Sequence, residues 1–259
     1  MATKDLLLLA LDFGGTKLSA AVAGLGERHW LAHRRVPAPP GSNAQKDLET
    51  MLALAQDLLT TAARPLGAVG VSFGGPVDAA QGLVLLSHHV PGWERAPLQQ
   101  WLEERLGVPV AVDNDANAGA LGEWRFGAGQ GCESMLYVTV STGIGGGWVI
   151  NGQLFHGADG MAGEIGHLII NAEGPPCTCG RRGCLESLAA GPAIARRARE
   201  QLAKHPNAGS TLRALLGGEV HTVTAREVSQ AAAAGDELAR QVLEEAAQAL
   251  GQGLGAAIT

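Results

Sequence analysis

Apolar positions along the chain alternate between short unbroken runs and helical spacing, and each switch marks an element. Leu6–Leu11 is a continuous apolar run of strand length. It breaks at Asp12-Phe13-Gly14-Gly15-Thr16-Lys17 and resumes as a second strand over Leu18–Ala23. A third strand is predicted near Trp30–Val36, followed by a Pro-rich turn at Pro37–Gly41. Leu48, Met51, Leu52, Ala55, Leu58, Leu59 and Ala62 then recur three and four apart, the signature of an amphipathic helix. Ala68–Phe73 reads as a strand running into Gly74-Gly75-Pro76-Val77-Asp78. Leu98–Leu106 reads as a short helix, and Val108–Val112 as a strand ending at Asp113-Asn114-Asp115.

The second half begins the same way. Met135–Val140 is an apolar strand, Ser141-Thr142-Gly143-Ile144-Gly145-Gly146-Gly147 a glycine hairpin, and Trp148–Ile150 its return strand. Asn151-Gly152 signals a type I′ turn into Gln153–Phe155. Strand, glycine hairpin and strand thus occur twice, which predicts two related lobes facing each other across a cleft. The expected division is a small α/β lobe over residues 1–116 and a larger one over 117–259 that carries the C-terminal helices. Those helices run from Gly191 to about Lys204, from a capping box at Thr224–Glu227, and from a cap at Asp236 toward Leu250. The last pattern stops at Thr259 without a C-cap or turn, so a C-terminal part is expected to be missing.

Composition narrows the class. With 46% hydrophobic and 17% charged residues in a 259-residue chain, a large globular core is available. A formal net charge of −6 argues against a nucleic-acid or anionic-membrane surface. The N-terminal apolar run is too short for a signal-peptide core, and no stretch approaches the ~20 residues of a membrane helix. Clustered thiols without a secretion signal point to the cytoplasm.

Three of the four cysteines lie in Cys177-Thr178-Cys179-Gly180-Arg181-Arg182-Gly183-Cys184, ten residues after His167. Three thiolates and an imidazole form a closed structural zinc set. The rival reading is a disulfide, which three clustered cysteines accommodate poorly. Cys132 reads as a small core residue. Glu164 and Glu186 bracket the cysteines and either bind a polyol or face solvent. Each glycine hairpin is either a simple turn or a cradle whose amides meet phosphate oxygens; Thr16 and Lys17 would add a hydroxyl and a charge, or be solvated. Asp115 could accept a proton from a sugar hydroxyl attacking a γ-phosphate, with Asn114 bonding neighbouring hydroxyls. Equally, Asp113 or Asp115 could cap a helix starting near Ala116.

Together these segments resemble the ROK family (repressor, open reading frame, kinase) of the actin-like ATPase superfamily, especially its bacterial glucokinases. The resemblance covers essentially the whole chain. Leu11–Lys17 and Ser141–Gly147 resemble its two phosphate motifs, and Asp113–Ala118 its catalytic segment. Gly163-Glu164-Ile165-Gly166-His167 with the cysteine run through Glu186 resembles its zinc and sugar signature. The resemblance implies an actin-like ATPase (ribonuclease H-like) α/β fold whose lobes close on sugar. It implies an ATP-dependent hexose kinase acting on the 6-hydroxyl, with Asp115 as general base. Gly75, Asn114, Glu164, His167 and Glu186 would hold the sugar. Asp12, Gly14, Gly15, Thr16, Lys17, Thr142, Gly143 and Gly145 would hold the nucleotide phosphates. His167, Cys177, Cys179 and Cys184 would hold a structural zinc, with Mg²⁺ arriving on ATP. A homodimer or homotetramer is implied. Kinases of N-acetylmannosamine, N-acetylglucosamine or fructose share these motifs. A ROK sugar-responsive repressor and a non-catalytic sugar-binding protein are the readings from other classes. The pair His88-His89 departs from the Pro-Asn of many glucokinase relatives. The part expected to be missing beyond Thr259 would carry a further strand, an adenosine-binding segment and a closing helix.

Overall fold

A computed structural model describes residues 6–87 and 90–258. The paired histidines at 88 and 89 lie outside the described residues. Contacts divide the chain into two compact units, Met1–Cys132 with Gly152–Ala162, and Glu133–Asn151 with Gly163–Thr259. Among the described residues, no helix is long and apolar enough to cross a membrane.

The first unit is built on a five-stranded sheet. In β1 (Leu7–Phe13), Leu7, Leu9, Leu11 and Phe13 are buried while Leu8 and Asp12 face out, the two-residue period of a strand. β2 (Lys17–Gly24) returns antiparallel to β1, and β3 (Ala32–Pro37) pairs with β2 at one edge. β3 starts two residues later than the apolar pattern predicts, leaving Trp30 64% exposed. α1 (Ala44–Ala62), capped by Asn43 Oδ1 on the Lys46 amide, packs on these strands. β4 (Leu66–Phe73) lies parallel to β1. A two-residue hairpin follows, β5 (Val77–Asp78) with β6 (Leu83–Val84). After α2 (Leu98–Leu106), β7 (Val110–Asn114) adds parallel to β4. β7 runs on to Asn114 because Ser72 and Phe73 pair with Asp113 and Asn114. That partnership lies in another strand, so local hydrophobicity does not reveal it. The order is β3-β2-β1-β4-β7, and α3 (Asp115–Phe126) follows β7 directly.

In the second unit, β8 (Met135–Val140) pairs antiparallel with β9 (Ile144–Ile150). The turn is shorter than the glycine pattern predicts: Gly145, Gly146 and Gly147 lie inside β9, opposite Thr139, Val138 and Tyr137. β10 (Gln153–Phe155) lies in the first unit beside α3. It follows a turn whose Asn151 and Gly152 have φ of 50° and 73°, as type I′ requires. α4 (Leu185–Ala189), α5 (Gly191–Lys204), α6 (Ser210–Leu215), α7 (Ala225–Ala233) and α8 (Glu237–Ile258) complete the second unit. The capping box opens α7 as predicted. Asp236 accepts the Ala239 amide at 3.1 Å and also the Leu212 amide at 3.0 Å, tying α8 to α6. Ile144, Ile165, Leu185 and Ala246 share one buried cluster, which fixes the zinc-motif segment against β9 and α8.

Candidate functional site

The parallel pairing of β1, β4 and β7 aligns their carboxyl ends, the place where open α/β sheets bind ligands. Asp12, Ser72 and Asp113 share one row across the three strands, and the Ser72 hydroxyl donates to Asp12 Oδ1 at 3.0 Å. Beneath the row, Trp93 stacks edge-on against Phe13 at 5.6 Å and Phe73 at 5.0 Å, and all three are buried. These contacts tie the ends of β1 and β4 to the segment that carries Trp93. The β1–β2 turn follows at once: the Gly14 amide donates to the Lys17 carbonyl at 3.1 Å, and Thr16 and Lys17 are exposed. Gly15 and Thr16 also line an open cavity with Pro39, Ser42 and Pro91.

Asn114, rather than either aspartate beside it, caps α3. It has an extended backbone, and its Oδ1 accepts the amides of Ala116 at 2.8 Å and Asn117 at 3.4 Å. Its Nδ2 donates to the Gly75 carbonyl at 3.0 Å, and the Gly75 amide donates to Phe73, so the Gly74-Gly75 loop is tied to the helix cap. Asp115 is therefore the first helical residue. Oδ1 accepts the Ala116 amide at 2.9 Å, and Oδ2 points past Gly74. Asp115 is exposed at the surface, yet the protein atoms around its carboxyl still displace part of its hydration. That desolvation, the largest influence, raises its pKa above the ordinary 3.8; the Ala116 amide works against the rise and the charge of Asp12 adds to it.

One residue at this site carries no sequence signal. His156, the residue after β10, places Nε2 2.8 Å from Asp113 Oδ2. The other carboxylate oxygen of Asp113 accepts the Asn114 amide at 2.8 Å and Asn117 Nδ2 at 2.9 Å. A lone histidine 43 positions from its partner has no spacing that would disclose the pair.

The second unit gathers the remaining candidates. The β8–β9 turn is closed by the Ser141 amide on the Gly143 carbonyl at 2.8 Å. Glu186, on α4, accepts the Ile144 amide at 3.0 Å on one carboxylate oxygen and faces the Thr178 hydroxyl at 3.5 Å with the other. That carboxylate fills the space beside Gly143, where a Cβ would sit 2.5 Å from Oε2. Gly146 is required for a similar reason. A Cβ there would lie 2.9 Å from the Gly163 carbonyl oxygen and 3.2 Å from two Ile165 carbons. The segment bearing Glu164 and His167 thus lies flat on β9.

His167 and the three cysteines converge. Their ligand atoms all lie within 4.8 Å of one another. Cys177 Sγ is 3.6 Å from His167 Nδ1, and Cys179 Sγ is 3.6 Å from Cys184 Sγ. Zinc bonds of about 2.3 Å to sulfur and 2.0 Å to nitrogen give tetrahedron edges of about 3.8 and 3.5 Å. The donor set therefore fits zinc. All four cysteines are free thiols, and Cys132 is exposed rather than in the core, its carbonyl held by the Trp124 indole at 2.8 Å. The loop turns through Gly180 and Gly183 at φ of 85° and 65°, as their residue type anticipates. Desolvation raises Cys179, but hydrogen bonds from Arg181 outweigh it and bring the thiol down to about 6. Burial and the neighbouring sulfurs push Cys184 up to about 12. Crowded thiols resist ionising together; a divalent cation removes that conflict. His167 turns its other nitrogen, Nε2, toward Glu164 Oε2 at 3.9 Å.

Residues 8–259 match the ROK family. The chain belongs to the ROK family. Among its relatives is a glucokinase of Halalkalibacterium halodurans, 43% identical over 187 residues, which are 71% of this chain and 55% of the relative. An N-acetylmannosamine kinase of Citrobacter koseri is 35% identical over 93% of this chain and 74% of its own. The chain thus spans just over half of the first relative and about three quarters of the second. Its fold matches the crystal structure of a ROK family glucokinase from Streptomyces griseus in complex with glucose and AMPPNP. That match has a TM-score of 0.81 and 35% identity, covering 96% of this chain and 78% of that one. It also matches a ROK family transcriptional regulator, a homologue of the E. coli MLC protein, at a TM-score of 0.82 and 28% identity over 98% of this chain and 61% of that one. The cysteine–histidine cluster is consistent with the zinc motif of the family.

Proposed function

We propose that this ROK chain is an ATP-dependent hexose kinase that moves the γ-phosphoryl group of ATP to the sugar 6-hydroxyl. The observation that carries the reading is Asp115. Its helix-capping duty is taken by Asn114, and its carboxylate has a raised proton affinity at the carboxyl ends of three parallel strands. As the 6-oxygen attacks phosphorus, its proton passes to Asp115 and ADP departs. The Gly15 and Thr16 amides, with Gly14 beside them, and the Thr142 and Gly143 amides, with Gly145 beside them, bind the phosphates; Lys17 offsets their charge, and the Asp12 carboxylate would face the Mg²⁺ they carry. The Asn114 side chain, fixed by Gly75 and lying against Asp115, serves a sugar hydroxyl next to the reacting one. Glu164, His167 and Glu186 hold further hydroxyls. His167, Cys177, Cys179 and Cys184 hold zinc, which when bound fixes the tautomer and direction of the His167 ring. Mg²⁺ enters with ATP as part of the substrate and offsets phosphate charge.

The glucokinase complex with glucose and AMPPNP supports glucose as the first sugar to test. The N-acetylmannosamine kinase at 35% identity favours a second, 2-acetamido sugar. An assay coupled to ADP release, run over glucose, mannose, fructose, N-acetylmannosamine and N-acetylglucosamine, separates these. Sugar binding with no transfer to any of them favours the sensor reading that the regulator's likeness brings.

A further inference from the structure

We propose that His156 is a positioning residue for Asp115, acting through Asp113; this rests on the kinase reading above. Asp113 presents a carboxylate, which only accepts hydrogen bonds, so the His156 nitrogen 2.8 Å away is the one that carries the hydrogen. The opposite oxygen of Asp113 is saturated from the other side by the Asn114 amide and Asn117 Nδ2. Asp113 is thereby pinned from three directions: by the end of its own strand, by the first turn of α3, and by the segment that follows β10. Asn117 turns its amide nitrogen to Asp113, leaving Oδ1 buried without a donor among the described residues. The amide is thus oriented for Asp113.

The consequence runs along two peptide units. Asn114 is held at its amide by Asp113, at Nδ2 by Gly75 and at Oδ1 by the first amides of α3. Asp115 is the next residue, and its carboxylate is met by the Ala116 amide at 2.9 Å and by the side chain of Asn114 itself. Its direction is inherited from the turn that precedes it. Without His156, Asp113 Oδ2 would lose its protein partner and the carboxylate could rotate, releasing Asn114 and Asn117. Segment 152–162 is anchored on its own side by β10 against α3 and by the Ala162 amide on the His156 carbonyl at 3.0 Å. It therefore offers a fixed post rather than a floating side chain.

The test compares His156→Phe with His156→Gln, since Gln restores an N–H donor at about the reach of Nε2 and Phe does not. His156→Phe should lower kcat about 10–100-fold, the penalty for misplacing a reacting group by a fraction of an ångström to an ångström. KM for ATP should stay within about twofold, because His156 is argued to act on the base and not on the phosphates. His156→Gln should recover most of the lost kcat. Hydrogen exchange at the Ala116 and Asn117 amides should quicken in the Phe variant and return in the Gln variant. A Phe variant with wild-type kcat and wild-type exchange overturns the proposal; so does a loss that Gln fails to restore, which would mean packing alone. Amide exchange needs no turnover, so it still reads the His156–Asp113 pair if the wild-type chain transfers no phosphate and the kinase reading fails.

Discussion

Gly146→Ala probes how tightly the segment from Gly163 to His167 is laid on β9. The new Cβ would stand 2.9 Å from the Gly163 carbonyl oxygen and 3.2 Å from Ile165 Cδ1 and Cγ1, all in the second unit. Ordinary contact begins at 3.4 Å, so strand and segment must part by about 0.5 Å. Ile165 is buried in the cluster with Ile144 and Leu185 and cannot yield cheaply. Overpacking of this kind costs about 1–3 kcal/mol, and in a chain of this size each kcal/mol moves Tm by about 2–4 °C. The displacement also exceeds the ~0.2 Å tolerance of metal–ligand distances. His167 lies four residues past Gly163, so zinc retention should fall with stability, by about 10–100-fold as for lost outer partners of a metal ligand. Thermal unfolding and a chelator-competition titration read the two effects. Gly251→Ala is the control: it sits on α8 with nothing within 4 Å of the new methyl group, and it should stabilise by about 0.5–1 kcal/mol. A Gly146→Ala protein that melts and holds zinc like the parent would refute the packing argument.

Elemental analysis should find about one zinc per chain, and its removal should cost stability and weaken sugar binding together, because Glu186 lies two residues from Cys184; a folded, sugar-binding protein without metal would contradict this. The acidic limb of kcat/KM should lie above pH 3.8, since the base form of Asp115 is lost as pH falls through its raised pKa. Asp12→Asn removes the like charge and should bring that pKa down without returning it to 3.8, because desolvation is the larger influence; an NMR titration of the Asp115 carboxyl reads this apart from catalysis. An aspartate whose folded pKa is raised costs stability when ionised, a cost present at neutral pH and relieved as pH drops through the raised value toward 3.8. Asp115→Asn should therefore melt no lower than the parent at pH 7, with any gain fading in acid.

The elements with strong local periodicity were legible in the chain: β2, α1 and the capping box of α7 lie where their apolar spacing and end residues predict, and β1 does too except that pairing with β2 carries it on through Asp12 and Phe13. The cysteines and His167 were legible too, because ligand chemistry is carried by residue type and short spacing. What failed depends on partners distant in sequence. β7 extends to Asn114 through its pairing with β4, and Gly145–Gly147 enter β9 because they face β8 and Gly163–Ile165. The aspartates beside Ala116 were ambiguous as caps until the backbone of Asn114 and its bond to Gly75 assigned the cap. His156 was invisible for the same reason, since its meaning lies wholly in Asp113.

The most direct measurement is hexose-dependent ADP release by the parent chain and by Asp115→Asn, assayed side by side with ATP and Mg²⁺. Asparagine keeps the shape, and its Oδ1 can still accept the Ala116 amide, but it cannot take up a proton. The account predicts turnover in the parent, 6-phosphorylated sugar as product, and a loss of about 10²–10⁴-fold in the variant with sugar affinity little changed. Turnover in the variant close to that of the parent, or phosphate transfer to no sugar by the parent, would contradict it.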